Sequence, residues 1–157
     1  MRRHGRASPP RSYLHGVPPD STVTDSPISV LLVDDHDVVR SALETLVEFT
    51  PGLELWGAAT SGADALARLD EATVQPDVVV SDVAMPGMSG VELAAAVRSR
   101  WPTLPCLMVS GHHPALYAEK ARAAGAAGYV EKGDPSEIVD AIRRAFANDG
   151  TWLGGEA

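Results

Sequence analysis

The chain has 157 residues, of which 45% are apolar and 22% are charged, and this composition is typical of a globular domain with its own core. Its net charge of −8 argues against nucleic-acid binding, and the lack of a long apolar segment argues against export and membrane anchoring. Cys106 is the only cysteine, so a disulfide framework within the chain is excluded and a cytoplasmic location is expected.

Residues 1–27 differ in composition from the remainder of the chain. They are rich in Pro, Ser and Arg, show no periodicity and carry a net charge of +2, so we expect a disordered tail. The folded domain is expected over residues 28–151, followed by a short tail over residues 152–157. Only eleven residues follow Phe146, too few for a helix-turn-helix, and direct DNA binding by this chain is therefore not expected.

From residue 28 onward, strand-length apolar runs alternate with segments of helical periodicity. The predicted strands, in chain order, are residues 28–33, 53–59, 78–80, 105–109 and 127–130. The predicted helices that follow them are residues 38–49, 63–72, 90–101, 114–124 and 136–148. This alternation predicts an α/β fold with a five-stranded, doubly wound parallel sheet of order 2-1-3-4-5, the flavodoxin-like arrangement.

Acidic residues follow two of these strands at the edge where open parallel sheets bind ligands. Asp34 and Asp35 follow the first strand and Asp82 follows the third, which is its neighbour in the predicted order, so the carboxylates converge. Carboxylates this close repel each other by roughly 1 to 4 kcal/mol per pair, and an all-oxygen site with open positions favours Mg²⁺. Ser110 and Lys132 end the next two strands at the same edge, and their hydroxyl and ammonium groups suit a phosphoryl group.

Four segments carry a resemblance to a known family: LLVDDHD, SDVAMPGMSG, MVSG and GYVEKGDPSEIVDAIRRA. Together they resemble the receiver domain of bacterial two-component response regulators, most closely receivers that carry a helix-turn-helix output domain. The resemblance implies a signalling module, not an enzyme, that accepts a phosphoryl group from a sensor histidine kinase. Its partner would be a downstream protein or an output domain missing from this sequence, with transcription regulation expected if such an output domain was removed, and phosphorylation could allow a homodimer.

The resemblance also implies roles for individual residues around a magnesium ion. Asp82 would be the phosphoacceptor, and Asp35 and Asp82 would bind Mg²⁺ directly. Asp34 would act through a metal-bound water. The backbone carbonyl of Ala84 would supply a further ligand.

The remaining implied roles concern the phosphoryl group and the response to it. Ser110 and Lys132 would contact the phosphoryl oxygens. Tyr129 matches the aromatic position whose rotamer reports phosphorylation, so Ser110 and Tyr129 form the expected switch. Many receivers have a cis proline after the lysine, but Gly133 stands here, and a cis peptide is not expected.

Two alternative interpretations stay open at this point. The segment VLLVDDHDVV also fits the pattern of haloacid-dehalogenase-like phosphohydrolases, with Asp35 as nucleophile and Asp37 as acid and base. That family needs a later acidic pair near the metal, whereas Asp134 and Asp149 lie beside predicted helix ends. The third interpretation is a scaffold receiver that is never phosphorylated, and it conflicts with the complete set of site residues.

Three histidines near these segments are expected to be solvated. His112 and His113 precede Pro114 in a predicted loop and have no cysteine or acid at metal-ligand spacing. His36 follows the acidic pair, and we expect its side chain also to face solvent.

Overall fold

The computed structural model describes residues 26–148 and 150–154. The predicted disordered tail lies outside the described residues except for Ser26 and Pro27, which are exposed. The strands are β1 (Ile28–Val33), β2 (Leu53–Ala59), β3 (Val78–Ser81), β4 (Cys106–Ser110), β5 (Gly128–Glu131) and β6 (Leu153–Gly154). The helices are α1 (Asp37–Glu48), α2 (Gly62–Glu71), α3 (Gly90–Arg100), α4 (Pro114–Ala123) and α5 (Pro135–Phe146).

All of these strands run parallel in one sheet of order β2-β1-β3-β4-β5-β6. The predicted flavodoxin-like fold and the order of the first five strands are therefore confirmed. The register places Val33 of β1 opposite Ser81 of β3, so Asp34 and Asp82 follow paired residues. The parallel register thereby fixes the positions of both carboxylates.

The core consists of two apolar layers, one on each face of the sheet. Successive strand residues point to opposite faces, so Leu31 belongs to one layer and Leu32 to the other. Helices α2, α3 and α4 cover the first layer, and α1 and α5 cover the second. Burial on both faces explains why the central strands are continuous apolar runs. Among the described helices, none has the length and apolarity needed to cross a membrane.

Side-chain caps fix where several helices begin. The Ser61 hydroxyl accepts a hydrogen bond from the backbone N–H of Asp64, and Ser89 forms a reciprocal capping box with Glu92 at the start of α3. Gly90, the first residue of α3, packs against the loop that follows β3, and a Cβ atom there would collide with the backbone carbonyl of Asp82. The start of α3 thus packs directly against the backbone of Asp82.

β6 corrects the prediction of five strands followed by a tail from residue 152. Leu153 donates a backbone hydrogen bond of 2.9 Å to the carbonyl of Ala127, and its side chain is buried in the layer under α5. Gly128 allows this approach, because a Cβ atom there would collide with the Leu153 carbonyl. A two-residue strand, Leu153–Gly154, has too little alternation to be detected from the sequence.

We predict that Leu153→Ala lowers the free energy of unfolding by about 2 to 3 kcal/mol, because it removes a buried side chain and leaves a cavity. The matched control is Leu116→Ala, since Leu116 is 61% exposed. That change is expected to cost less than about 0.5 kcal/mol. Urea denaturation followed by circular dichroism measures both values. Equal losses in the two variants would contradict a packed β6.

Candidate functional site

An acidic cluster lies at the carboxyl edge of the sheet, where β1 and β3 end. The Asp82 N–H donates a 2.9 Å hydrogen bond to the Val33 carbonyl, which joins the two loops. The side chains of Asp34 and Asp82 are only 2% and 6% exposed, and that of Asp35 is 26% exposed. Ligand atoms of these three carboxylates and of His36 all lie within 4.8 Å of one another. The structure thus brings the three predicted carboxylates together.

Lys132 reaches this cluster from the end of β5. Its Nζ lies 2.9 Å from Oδ2 of Asp34 and 3.7 Å from Oδ1 of Asp82. Its backbone N–H donates a 2.8 Å hydrogen bond to the carbonyl of Ser110, so the ends of β4 and β5 are also joined. The ammonium group therefore offsets part of the repulsion between two buried carboxylates.

The two buried carboxyl groups differ in their affinity for protons. Burial raises the pKa of Asp82, and this effect exceeds the lowering by the Lys132 charge and by the hydrogen bond from the Val83 N–H. Burial also acts to raise the pKa of Asp34, but the hydrogen bonds from Lys132 and from the backbone of His36 outweigh it and leave the pKa below the usual value. An additional cation would therefore stabilise the ionised form of Asp82 more than that of Asp34.

One carboxylate oxygen of the cluster lacks a donor. Oδ1 of Asp35 is shielded from solvent and accepts no hydrogen bond. Converging carboxylate oxygens with an unsatisfied acceptor form the kind of ligand set that a hard divalent cation such as Mg²⁺ prefers. Ala84, the predicted source of a carbonyl ligand, lies two residues after Asp82 in the loop between β3 and α3. The residues that are present fit the predicted metal.

Ser110 and Tyr129 both form hydrogen bonds with the backbone of His112. The buried Ser110 Oγ accepts a 3.0 Å hydrogen bond from the His112 N–H, and the Tyr129 hydroxyl donates one of 3.1 Å to the His112 carbonyl. Burial raises the pKa of Tyr129, while its contact with the Ser110 side chain acts to lower it. The ring of Tyr129, one of the two expected switch residues, is buried, with 1% exposure.

His36 shows that the expectation of a solvated histidine is incomplete. Its side chain is 61% exposed, yet Nδ1 lies 3.1 Å from Oδ1 of Asp34, 3.4 Å from Oδ1 of Asp35 and 3.8 Å from Oδ2 of Asp82. His36 is the N-cap of α1, and its backbone N–H donates to the same Asp34 oxygen at 2.9 Å. Adjacency to the acidic pair was the only sequence signal, and it did not predict the direction of the ring.

Arg40, one turn into α1, is a second site residue that the sequence analysis missed. It donates a 2.9 Å hydrogen bond to the backbone carbonyl of Asp34 and pairs with Asp37 at 2.7 Å. Asp37 is 87% exposed and does not belong to the acidic cluster. Asp134 instead caps α5 by accepting a hydrogen bond from Ser136, and Asp149 lies outside the described residues. These positions do not favour the phosphohydrolase alternative.

Comparison with known proteins gives a consistent result. Residues 30–143 match the response regulator receiver domain. Response regulator GacA from Pseudomonas syringae is 38% identical over 121 residues, which are 76% of this chain and 56% of the relative. The DNA-binding transcriptional activator DevR/DosR from Mycobacterium tuberculosis is 43% identical over 105 residues, which are 67% of this chain and 48% of the relative.

Solved structures agree with the sequence relatives. A two-component response regulator of the LuxR family from Aurantimonas superposes with a TM-score of 0.72 at 36% identity, covering 78% of this chain and 86% of that chain. The chain spans about half the length of the curated relatives it matches. The predicted resemblance to receiver domains is confirmed by the family match and by these relatives.

We predict that Lys132→Met lowers the free energy of unfolding by about 2 kcal/mol near neutral pH, because two buried carboxylates lose their counter-ion. The Asp34 pKa lies below its usual value in the folded chain, so this stabilisation is present above the usual value and is lost as the pH falls through the folded one. The difference between variant and wild type should therefore persist from about pH 7 down to about 4 and shrink as the pH falls further, through the lowered pKa of Asp34.

The control for this prediction is Lys120→Met, which removes the other lysine of the chain, an exposed residue on α4. Urea titrations across the pH range measure both variants. An equal loss in the control, or a loss for Lys132→Met that does not vary with pH, would contradict the assigned role of the ion pair.

Proposed function

This chain belongs to the family of response regulator receiver domains, and on that premise we propose that a sensor histidine kinase transfers a phosphoryl group to Asp82 with the help of Mg²⁺. The observation that carries the proposal is the asymmetric setting of Asp82. The Lys132 ammonium lies 3.7 Å from Oδ1 of Asp82, and the unsatisfied Asp35 belongs to the same cluster of ligand atoms, all within 4.8 Å of one another. Positive charge beside the acceptor stabilises the transfer of a charged phosphoryl group, and Lys132 and a bound Mg²⁺ would supply it.

Each acidic residue has its own part in this proposal. The Val83 N–H holds Oδ1 of Asp82 at 2.8 Å and so fixes the orientation of the acceptor. Asp35 and Asp82 would bind Mg²⁺ directly, Asp34 through a water, and the Ala84 carbonyl would complete the protein ligands. A bound Mg²⁺ would supply positive charge to the carboxylates and to the phosphoryl oxygens.

During transfer, the bond between phosphorus and the histidine nitrogen of the kinase breaks as a bond to an Asp82 oxygen forms. Lys132 already lies 3.7 Å from this carboxylate, and its ammonium would stabilise the charge on the incoming oxygens. Ser110, at the end of β4, would donate its hydroxyl to another phosphoryl oxygen. The chain thus acts as a phosphoacceptor that assists its own phosphorylation and dephosphorylation, and it turns over no other substrate.

The same hydroxyl links phosphorylation to a distant surface. Ser110 Oγ accepts a hydrogen bond from the His112 N–H, and Tyr129 donates to the His112 carbonyl, so His112 connects the two expected switch residues. A phosphoryl group that draws the Ser110 side chain towards Asp82 would shift the loop around His112. Tyr129 is already buried, so the proposed change is a movement of this loop and of the adjacent part of α4.

The partners follow from the family and remain part of the proposal. The donor would be a sensor histidine kinase, and the receiver of the signal would be a downstream protein or an output domain that regulates transcription. The chain itself is not expected to bind DNA directly, and phosphorylation is expected to favour a homodimer. We place this chemistry in the cytoplasm, where the buried Cys106 thiol stays reduced.

We predict that acetyl phosphate with Mg²⁺ adds one phosphoryl group to the wild-type chain and that chelation of Mg²⁺ stops the reaction. Asp82→Asn should reduce the labelling rate at least about 100-fold, since the acceptor oxygen is lost. Intact-mass and peptide-mass spectrometry measure the rate and the position. Asp140→Asn is the matched control, because the Asp140 side chain on α5 is 66% exposed and is not part of the cluster.

Two outcomes would contradict this proposal. Labelling of Asp82→Asn at the wild-type rate would show that the acceptor is wrong. Phosphate on Asp35 would favour the phosphohydrolase alternative.

We predict that beryllofluoride with Mg²⁺ shifts the backbone amide signals of His112 and Tyr129 and leaves those of α2 in place. Beryllofluoride mimics a phosphoryl group and should recruit the Ser110 hydroxyl. Tyr129→Phe removes only the phenol oxygen, so it should reduce the shift at His112 by at least about half if the hydrogen bond carries the coupling. Changes confined to the Asp34, Asp35 and Asp82 loops would contradict the proposed switch.

A further inference from the structure

We propose that His36 is a nitrogen ligand through which the acidic cluster also binds Zn²⁺, and that this ion closes the site to phosphorylation. The inference deepens the proposed function and rests on its carboxylate site. It assigns a ligand, and a different class of metal ion, to a histidine that the proposed phosphotransfer does not use.

The His36 imidazole lies close to all three carboxylates. Nδ1 of His36 lies 3.1, 3.4 and 3.8 Å from one oxygen of each of the three carboxylates. A tetrahedral zinc ion with ligand bonds of 2.0 to 2.1 Å separates its ligand atoms by about 3.3 to 3.4 Å. The three separations bracket this value, and ligand atoms of all four residues lie within 4.8 Å of one another, so rotation of the side chains towards a common centre would let one ion contact all four.

Hydrogen bonding alone does not account for this arrangement of His36 and the carboxylates. A neutral imidazole has one N–H, and the nearest oxygen to Nδ1 is Oδ1 of Asp34 at 3.1 Å. Oδ1 of Asp35 is shielded from solvent and accepts no hydrogen bond. A cation between the four groups would satisfy this oxygen and would reduce the repulsion between the carboxylates at the same time.

Lys132 does not compete for the same atoms. Its ammonium contacts Oδ2 of Asp34 and approaches Oδ1 of Asp82, whereas His36 approaches the other oxygen of each of these carboxylates. The ammonium and the proposed ion therefore contact different oxygens of the same two residues. The lysine can keep its ion pair while the metal binds.

The choice of metal follows from ligand chemistry. Mg²⁺ prefers oxygen ligands in an octahedral arrangement and keeps several waters, so His36 adds little to its binding. Zn²⁺ binds imidazole nitrogen readily and is most often held by four ligands in a tetrahedron. Three carboxylates and His36 would complete that tetrahedron. No coordination position would remain for a phosphoryl oxygen, and Asp82 would be held as a ligand.

The test is isothermal titration calorimetry of the full chain with Zn²⁺ and, separately, with Mg²⁺. His36→Asn should weaken the tightest zinc site at least about tenfold, which is about 1.4 kcal/mol, and should change magnesium affinity less than about twofold. His113→Asn is the matched control, because His113 is exposed and is not part of the cluster. A second control, with His4 and His15 both changed to Asn, detects zinc that binds near the amino terminus.

A second readout is specific to coordination by the ring. Zinc should shift the His36 Nδ1 signal in nitrogen-detected spectra of the wild type and should slow acetyl phosphate labelling of Asp82. The slowing should be at least about fivefold weaker in His36→Asn. Equal zinc affinity in wild type and His36→Asn would overturn the inference. It would also be overturned if His36→Asn lowered the zinc affinity and the magnesium affinity by the same factor.

These outcomes separate the inference from the proposed function. If Asp82 is labelled in the presence of magnesium but His36→Asn leaves the zinc affinity unchanged, only the zinc site is overturned. Zinc binding through His36 in a chain that cannot be labelled on Asp82 supports the zinc site and overturns the proposed phosphotransfer.

Discussion

The ion pair between Lys132 and Asp34 is the interaction on which the site depends. It joins residues that are 98 positions apart in the chain and that follow β5 and β1, which are separated by two strands in the sheet. Parallel pairing of β1 with β3 places two buried carboxylates side by side. A fold that concentrates negative charge in this way needs a cation that reaches across the middle of the sheet, and Lys132 is that cation.

The same edge of the sheet carries a second connection, from Ser110 through His112 to Tyr129. The carbonyl of Ser110 accepts the N–H of Lys132, and its hydroxyl accepts the N–H of His112. Ser110, the last residue of β4, thus holds both the end of β5 and the loop that contains His112. Under the proposed function, a charge change beside Ser110 would act on the lysine, on the loop and on the buried tyrosine together, and would reach the surface formed by α4 through these hydrogen bonds.

Much of this architecture could be predicted because each element has a strong local signal. Apolar runs marked the central strands, Ser89 marked the start of α3, and the acids after the first and third strands indicated the site. The fold then brought those acids together through the strand order. The prediction of solvated histidines was incomplete for His36, because the direction of a side chain at a helix N-cap depends on backbone angles that the sequence does not state.

The direction of the Tyr129 ring and the presence of β6 could not be predicted from the sequence, for related reasons. Whether the Tyr129 ring faces inward depends on space between α4 and β4, which small residues allow but do not require. Leu153 pairs with Gly128, and two residues with one buried side chain leave no periodicity to detect. Contacts that depend on tertiary packing, without a repeating pattern, are the ones that the sequence did not reveal.

β6 also covers part of one edge of this sheet, next to β5. An unpaired edge strand exposes a row of backbone donors and acceptors on which another polypeptide can build, a common start of aggregation. Leu153 and Gly154 cover that row at Gly128 and Tyr129, and the positive φ of Gly154 turns the backbone out of strand geometry. Removal of these two residues would expose the side of β5, and the domain would become prone to edge-to-edge polymerisation.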